Sequence, residues 1–307
     1  MALASAAGFV QNSGTLIPEI WSSKLLVKFY ASTVFGSIAN TDYSGEIKNA
    51  GDKVIIRNVP DITIRTYVKG GKLTYETPTT ANIELLIDQG KYFAFAVNDV
   101  DKMQSDIPFM NKWSGDAGEQ MKISIDTAIL ASIYADAATG NKGATAGVKS
   151  SAYNLGVSGT PFLATRVNIL DGLCGLGAAL DEQNVPGDSR WVVLPPLLSY
   201  LLKLSDLKDA SMLGDGTSAL RSGRLGIIDR FTVYQSNSLA TTADSSGVTA
   251  WNCIAGHPSA VTFASQIVKT ETLKNPDDFG DLCRGLQVYG FETVKPTALC
   301  HFYVAKG

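Results

Sequence analysis

Histidine is nearly absent from this chain: His257 and His301 are the only two in 307 residues. A Ser-His-Asp triad needs a histidine with two partners, and a histidine metal site needs several ligands. Neither set can be assembled around these two. The four cysteines, Cys174, Cys253, Cys283 and Cys300, form no CxxC pair, which argues against a zinc cage. They are expected to be buried free thiols in a reducing compartment. Charge is scarce as well, at 18% of residues against a usual value of about 25%. A net charge of −3 gives no bulk attraction to nucleic acid. A weakly charged surface hints at a protein that hides much of itself against other copies. No apolar run approaches the ~18 residues of a transmembrane helix. The N-terminal MALASAAGFV lacks the basic region of a signal peptide. The expectation is a soluble, intracellular chain.

What is present is an ordinary hydrophobic fraction of 45%, enough for a sizeable core. The length predicts roughly two domains at about 150 residues each. Residues 1–16 read as a flexible arm. Pro18 opens a loosely helical stretch through about Thr33. From Gly51 to Gly90 the period is two: Ile62, Ile64, Thr66 and Val68 alternate with Thr63, Arg65, Tyr67 and Lys69. RTYVKGGKLTYETPT (65–79) reads as a hairpin tip turning at Gly70-Gly71. Pro60 and Pro78 interrupt its two arms, and proline is confined to edges and bulges of sheets. The spacing therefore predicts a protruding two-stranded ribbon over residues 59–79. Its partner must lie outside the ribbon, because two isolated strands are marginal in water.

A long helix is expected from Pro108 to Ala138, about 45 Å, capped by Asn98 or by Ser105-Asp106. Residues 139–160 read as a small-residue linker and 161–184 as a second helix. WVVLPP (191–196) is a buried strand, 197–204 a short helix, and 205–226 a long loop with four glycines. Residues 227–237 read as a strand and 250–266 as a strand followed by a short helix after His257-Pro258. A last helix is expected near Pro276, and 297–306 is a closing strand.

The chemical motifs are weak. GATAGVKS (143–150) has phosphate-loop composition, but Val148 stands where glycine must precede the lysine, and the segment follows a helix. GLCGLG (172–177) lies inside a helical pattern and reads as a packing surface. LGDGTS (213–218) holds too few carboxylates for calcium. Asp99, Asp101 and Asp106 suit a helix N-terminus through capping and the dipole. On the ribbon, Arg57, Arg65, Lys69 and Lys72 are interleaved with Glu46, Asp52, Asp61 and Glu76. Mixed signs fit a protein partner better than a polyanion.

The order of elements resembles the major capsid proteins of tailed bacteriophages. TDYSGEI followed by GDKVIIRNVPDITIRTYVKGGKLTYE looks like the family's lead-in to an extended loop. IDQGKYFAFAVNDVDKMQSD looks like that loop's exit. MKISIDTAILASIY looks like the spine helix, with an Asp-x-x-Ile/Leu pattern at Asp126. RWVVLPP, SGRLGIIDRFTVYQSN and AGHPSAVTFA look like the axial domain. The resemblance covers almost the whole chain and implies an α+β Hong Kong 97-like capsid fold. It further implies an N-terminal arm (1–45), an extended loop (46–97), and a peripheral domain with the spine helix (98–159). An axial domain (160–266) and a peripheral return segment (267–307) would follow. On this reading Ile62, Ile64, Arg65, Tyr67, Val68, Lys69, Lys72 and Glu76 contact a neighbouring subunit. Asp215, Arg221 and Arg224 lie on an axial loop at the hexamer or pentamer centre.

The implied partners are other copies, with scaffolding, decoration and portal proteins, and packaged double-stranded DNA touched weakly and without sequence specificity. No cofactor, catalytic residue or membrane is implied. The setting is a virion capsid assembled in the host bacterial cytoplasm. In some relatives a loop lysine is cross-linked to a neighbour's asparagine, and Lys69 or Lys72 sits where one would look, although plain salt bridging suffices here. The alternatives are an encapsulin-type compartment shell, a hydrolase with its site near 205–226, and a DNA-binding module. The scarcity of histidine and the lack of a nucleophile motif count against the hydrolase, and the charge balance against the DNA module.

Overall fold

The computed structural model describes residues 30–42, 53–57, 59–60, 62–79, 82–104, 109–205, 226–245, 247–276 and 278–307. The expected arm and the helix over 18–33 fall almost wholly outside these residues. So does the glycine-rich loop, with Asp215, Arg221 and Arg224.

In chain order the elements are α1 (Phe35–Ile38), β1 (Lys53–Arg57), β2 (Asn82–Leu86), β3 (Gln89–Asn98), α2 (Asp99–Gln104) and α3 (Phe109–Leu130). They continue with β4 (Phe162–Ala164), α4 (Ile169–Glu182), β5 (Arg190–Leu194), α5 (Pro196–Leu204), β6 (Ile227–Ile228) and β7 (Phe231–Gln235). Strands β8 (Thr241–Ala243), β9 (Thr249–Gly256), β10 (Val261–Lys274), β11 (Gly280–Thr293) and β12 (Leu299–Lys306) complete the chain. Among the described residues they form three sheets. A seven-stranded mixed sheet runs β4-β12-β9-β5-β7-β6, with β8 paired to β9. A three-stranded antiparallel sheet runs β10-β11-β3, and β1 pairs with β2 alone.

The seven-stranded sheet carries the main core. All five residues of β5, RWVVL, are buried; WVVL is the continuous apolar run expected of a central strand, and Arg190 at its start is a buried charge. Helix α4 packs on this sheet, and Gly172 lets it approach: a Cβ there would stand 2.8 Å from the Phe302 ring. Pro195 and Pro196 end β5 and start α5, where a proline at the first turn loses no hydrogen bond. Arg190 is fully buried but completely engaged. It donates to the Pro186, Gly177 and Val185 carbonyls and to Asp181 Oδ1 at 2.6 Å. Asp181 also receives Arg230 at 2.6 Å. Burial works to raise the Asp181 pKa, but the Arg230 and Arg190 guanidiniums outweigh it and hold it below the usual range.

Helix α3 spans 22 residues, about 33 Å, and is shorter than expected. It ends where Ser132 Oγ turns back to the Ala128 and Ile129 carbonyls, and a 3-10 turn (Ile133–Asp136) follows. Asn98 does cap a helix: its Oδ1 accepts the Val100 N–H at 2.8 Å, at the start of the short α2. Asp126, on the inner face of α3, is 3% exposed, and its Oδ1 accepts the N–H groups of Val34 (3.1 Å) and Phe35 (2.8 Å). The carboxylate thus caps α1 from a distant part of the chain. Burial raises its pKa, against the pull of those two bonds.

Several local expectations are corrected. Phe162 begins strand β4, not a helix, because it pairs with Val304 of β12. Residues 227–235 are a hairpin, with Asp229 and Arg230 both at positive φ in its turn. Among the described residues no helix follows His257-Pro258 and none starts near Pro276: the first stretch turns into β10, and Pro276 lies in the turn between β10 and β11, which pair along their length with one irregularity between Ser265 and Ile267. The expected boundary between 266 and 267 falls inside β10. The 267–307 segment divides, with β11 beside β3 and β12 between β4 and β9 of the seven-stranded sheet.

Candidate assembly surfaces

Strands β1 and β2 fix the base of the extended segment. Ile56, Leu85 and Ile87 bury themselves with Ala264 of β10, and Val288 of β11 packs against them. Beyond Arg57 and before Asn82 the described chain runs without a strand ladder, so the expected two-stranded ribbon becomes an extended finger. The turn falls where expected: Gly70 has φ 85°, and the Gly71 N–H reaches the Val68 carbonyl at 3.0 Å. Pro60 and Pro78 bring no N–H to a ladder, and among the described residues no third strand stands beside the finger to stabilise it. What ties its arms is a side chain. Glu76 accepts the Thr63 N–H at 2.6 Å and faces Arg65 at 3.8 Å.

The finger carries most of the predicted contact residues, and it carries them outward. Ile64 is 91% exposed, Tyr75 87%, Tyr67 71% and Val68 68%. Ile62 and Leu73 are exposed too, as are Lys69 and Lys72 on either side of the tip. Contiguous exposed apolar side chains mark interaction surfaces on soluble proteins.

Two further surfaces were not anticipated. On one face of the three-stranded sheet, Tyr92 and Leu286 flank an open groove of about 420 Å³. Arg284 donates to Glu271 Oε2 through two nitrogens (2.9 and 2.7 Å), and Lys269 pairs with the same carboxylate. The opposite face is covered: Phe95 meets Trp113 of α3 edge to face at 5.8 Å. The second surface lies at the end of this sheet. There α2 is tied to the turn between β10 and β11, with the Asp99 N–H donating to the Phe279 carbonyl at 3.1 Å. Asp278 accepts from the Phe279 N–H (2.8 Å) and from Asn98 Nδ2 (3.0 Å). Met103, Phe279 and Val100 project from this corner, exposed at 90%, 82% and 56%. The sequence signal was the apolar Val100, Met103 and Phe279 among aspartates, but these residues meet only through the pairing of β11 with β3.

The groups weighed for chemistry have structural employment. The GATAGVKS loop does bind an anion, and the anion is its own Glu182. The Ser150 side chain and the Lys149 N–H (2.7 Å) push that carboxylate down to about 2. His301 Nε2 lies 3.0 Å from Asn252 Oδ1, and its ring sits 5.0 Å from that of Tyr134. Burial, with Lys142 nearby, lowers its pKa to about 4. His257 Nδ1 is bonded to Ser259. Three cysteines are buried as expected, but Cys174 is exposed on α4 because its position falls outside the face that packs on the sheet. Among the described residues no group of His, Cys, Asp and Glu is placed to hold a metal ion, and no helix is long and apolar enough to cross a membrane.

With this geometry in place, the comparisons with known proteins are consistent in direction. The phage capsid protein family matches residues 82–301, more than half of the chain, and the chain belongs to that family. A solved structure from Mycobacterium phage Che8 is similar at 28% identity and a TM-score of 0.78, covering 95% of this chain and 98% of that one. The capsid structure of the cyanophage P-SCSP1u follows at 17% identity and TM-score 0.72, covering 98% of each chain. The mature capsid of bacteriophage PhiM1 matches at 16% identity and TM-score 0.67, covering 94% of this chain and 91% of that one. No curated protein sequence matches. The fold is the Hong Kong 97-like capsid fold, and the protein is a structural one, a major capsid protein that forms the shell of a tailed-phage head. Its place is the virion capsid.

Proposed function

We propose that the chain assembles as hexamers and pentamers of an icosahedral shell around double-stranded DNA, with the finger of each subunit lying on a neighbour. The observation that carries this reading is the exposure of Ile64, Tyr67, Val68 and Tyr75 on a segment with no layer of its own chain beneath it among the described residues. Burying one such side chain is worth about 1.5–3 kcal/mol, so several together give a ring-closing contact a substantial driving force. Ile62, Arg65, Lys69, Lys72 and Glu76 complete the contact. Residues 1–45 act as an arm, 46–97 as the extended loop, and 98–159 with most of 267–307 as the peripheral part. Residues 160–266, joined by β12, form the axial part.

With a net charge of −3, the subunit touches packaged DNA weakly and without sequence preference, which favours later release. Scaffolding, decoration and portal proteins are the expected partners, and the host cytoplasm is the site of assembly. Membership of the phage capsid family favours this reading over an encapsulin-type compartment. The test is to express the full chain and follow it by sedimentation and electron microscopy. Closed shells are expected, and Arg65→Glu with Lys69→Glu should suppress them while leaving the monomer folded. A chain that stays monomeric in all conditions sinks the proposal.

A further inference from the structure

Charge and placement narrow the surface on which the finger docks. Over residues 62–79 the finger carries Arg65, Lys69 and Lys72 against Glu76 alone, three cations to one anion. The groove face on the three-stranded sheet is a poor match, since there Lys269 and Arg284 share the single carboxylate of Glu271. The corner at the end of that sheet has the opposite balance. Asp99, Asp278 and Asp281 stand there with Lys274, whose pKa is raised first by its 2.7 Å bond to Asp281 and further by the Asp99 charge. Met103, Phe279 and Val100 add an exposed apolar patch among these carboxylates. Tyr67, Val68 and Leu73 around the finger tip are its counterpart.

Placement supplies the second argument. The finger is rooted against Ala264 and Val288, beside the start of β3, whereas the corner lies where β3 ends at Asn98 and β11 begins at Gly280. A ten-residue strand separates the two, roughly 30 Å. A projecting positive finger at one end and a negative, apolar corner at the other suit a head-to-tail contact between copies. Such contacts close into rings when the rotation allows.

We infer that the corner formed by α2 and the β10–β11 turn is the acceptor for the finger tip of a second copy. Lys69 and Lys72 lie over Asp99 and Asp278, and the tip's apolar side chains cover Met103 and Phe279. This inference rests on the shell reading above but names a surface that the reading does not require. Its test is a charge swap in the full chain, read as the protein concentration at which light scattering and sedimentation report assembly. Lys69→Glu with Lys72→Glu should raise that concentration about tenfold or more, and so should Asp99→Lys with Asp278→Lys. All four changes in one chain should return it to within about threefold of the unaltered protein. Phe279→Lys, at a side chain exposed in the lone chain, supplies the same repulsion should the aspartate pair prove needed for folding, and must also impair assembly. If the corner variants fold and assemble like the unaltered chain while the finger variant does not, the acceptor is elsewhere and the shell reading stands. If all four changes together assemble no better than either pair, the pairing of these two surfaces is overturned.

Discussion

Val304 and Val68 are the same side chain in opposite settings: the first is wholly buried within the seven-stranded sheet, the second is 68% exposed on the finger. The strand around Val304 has neighbours on both edges and α4 packed on its sheet. Among the described residues the finger around Val68 has a turn, a side-chain clasp at Glu76, and no layer beneath it. The body is stabilised within its own chain, by buried apolar surface and satisfied polar groups. The finger is extended and apolar without that return. On the proposed reading its contacts lie on another subunit, so stability of the subunit and stability of the assembly would be encoded in separate regions, and substitutions should separate them.

The largest expected effect is in the body. Arg190→Ala removes a guanidinium serving three carbonyls and Asp181, leaving buried acceptors unpaired. It should lower the unfolding free energy of the monomer by about 3–5 kcal/mol, measured by urea denaturation. A loss below about 1 kcal/mol would mean that the body tolerates an open polar network. Next comes Asp126→Ala, which strips the cap from α1 and should cost about 1–2 kcal/mol, with hydrogen exchange rising at Val34 and Phe35.

A smaller effect is pH-dependent. The folded pKa of His301, about 4, lies below the ordinary value of 6.5, so the unfolded chain binds the proton more readily. The His301 contribution is complete above pH 6.5 and is lost as pH falls from there towards 4, on the order of 1–3 kcal/mol in all. His301→Gln should flatten the thermal-stability profile across that window, and an unchanged slope would assign it to other groups. The smallest effect on folding is expected in the finger. Ile64→Ser with Tyr75→Ser should change monomer stability by less than about 0.5 kcal/mol, as at other surface positions. The same variant should impair shell assembly. Loss of monomer folding in that variant would erase the distinction between the two regions.

Much of the fold was legible wherever local rules and tertiary environment agree. The run WVVL is apolar on both faces because β5 is buried on both faces, and the prolines after it end the strand whatever surrounds them. The turn at Gly70-Gly71 is a local matter of backbone conformation. The misreadings fall where long-range pairing decided the outcome. Phe162 has a helix-like context but lies beside Val304, far along the chain. The stretches after His257 and around Pro276 carry helix-start residues but lie within or between two fourteen-residue strands that hold each other extended. Of the two exposed surfaces, the finger's outward run was expected from its alternation and its two prolines. The corner was not, because α2 and Phe279 are brought together only where β11 pairs with β3 and the Asp99 N–H meets the Phe279 carbonyl.

By itself, then, the sequence determined the exclusions, the buried strands, the turn of the finger and the resemblance to a capsid subunit, since each depends on residue chemistry within a short window. Only the tertiary structure decided that β12 threads the main sheet and that Asp126 caps a helix far from it in the chain. It likewise decided that a basic finger and an acidic, apolar corner occupy opposite ends of one sheet. These are consequences of non-local contacts, whose partners no local pattern specifies.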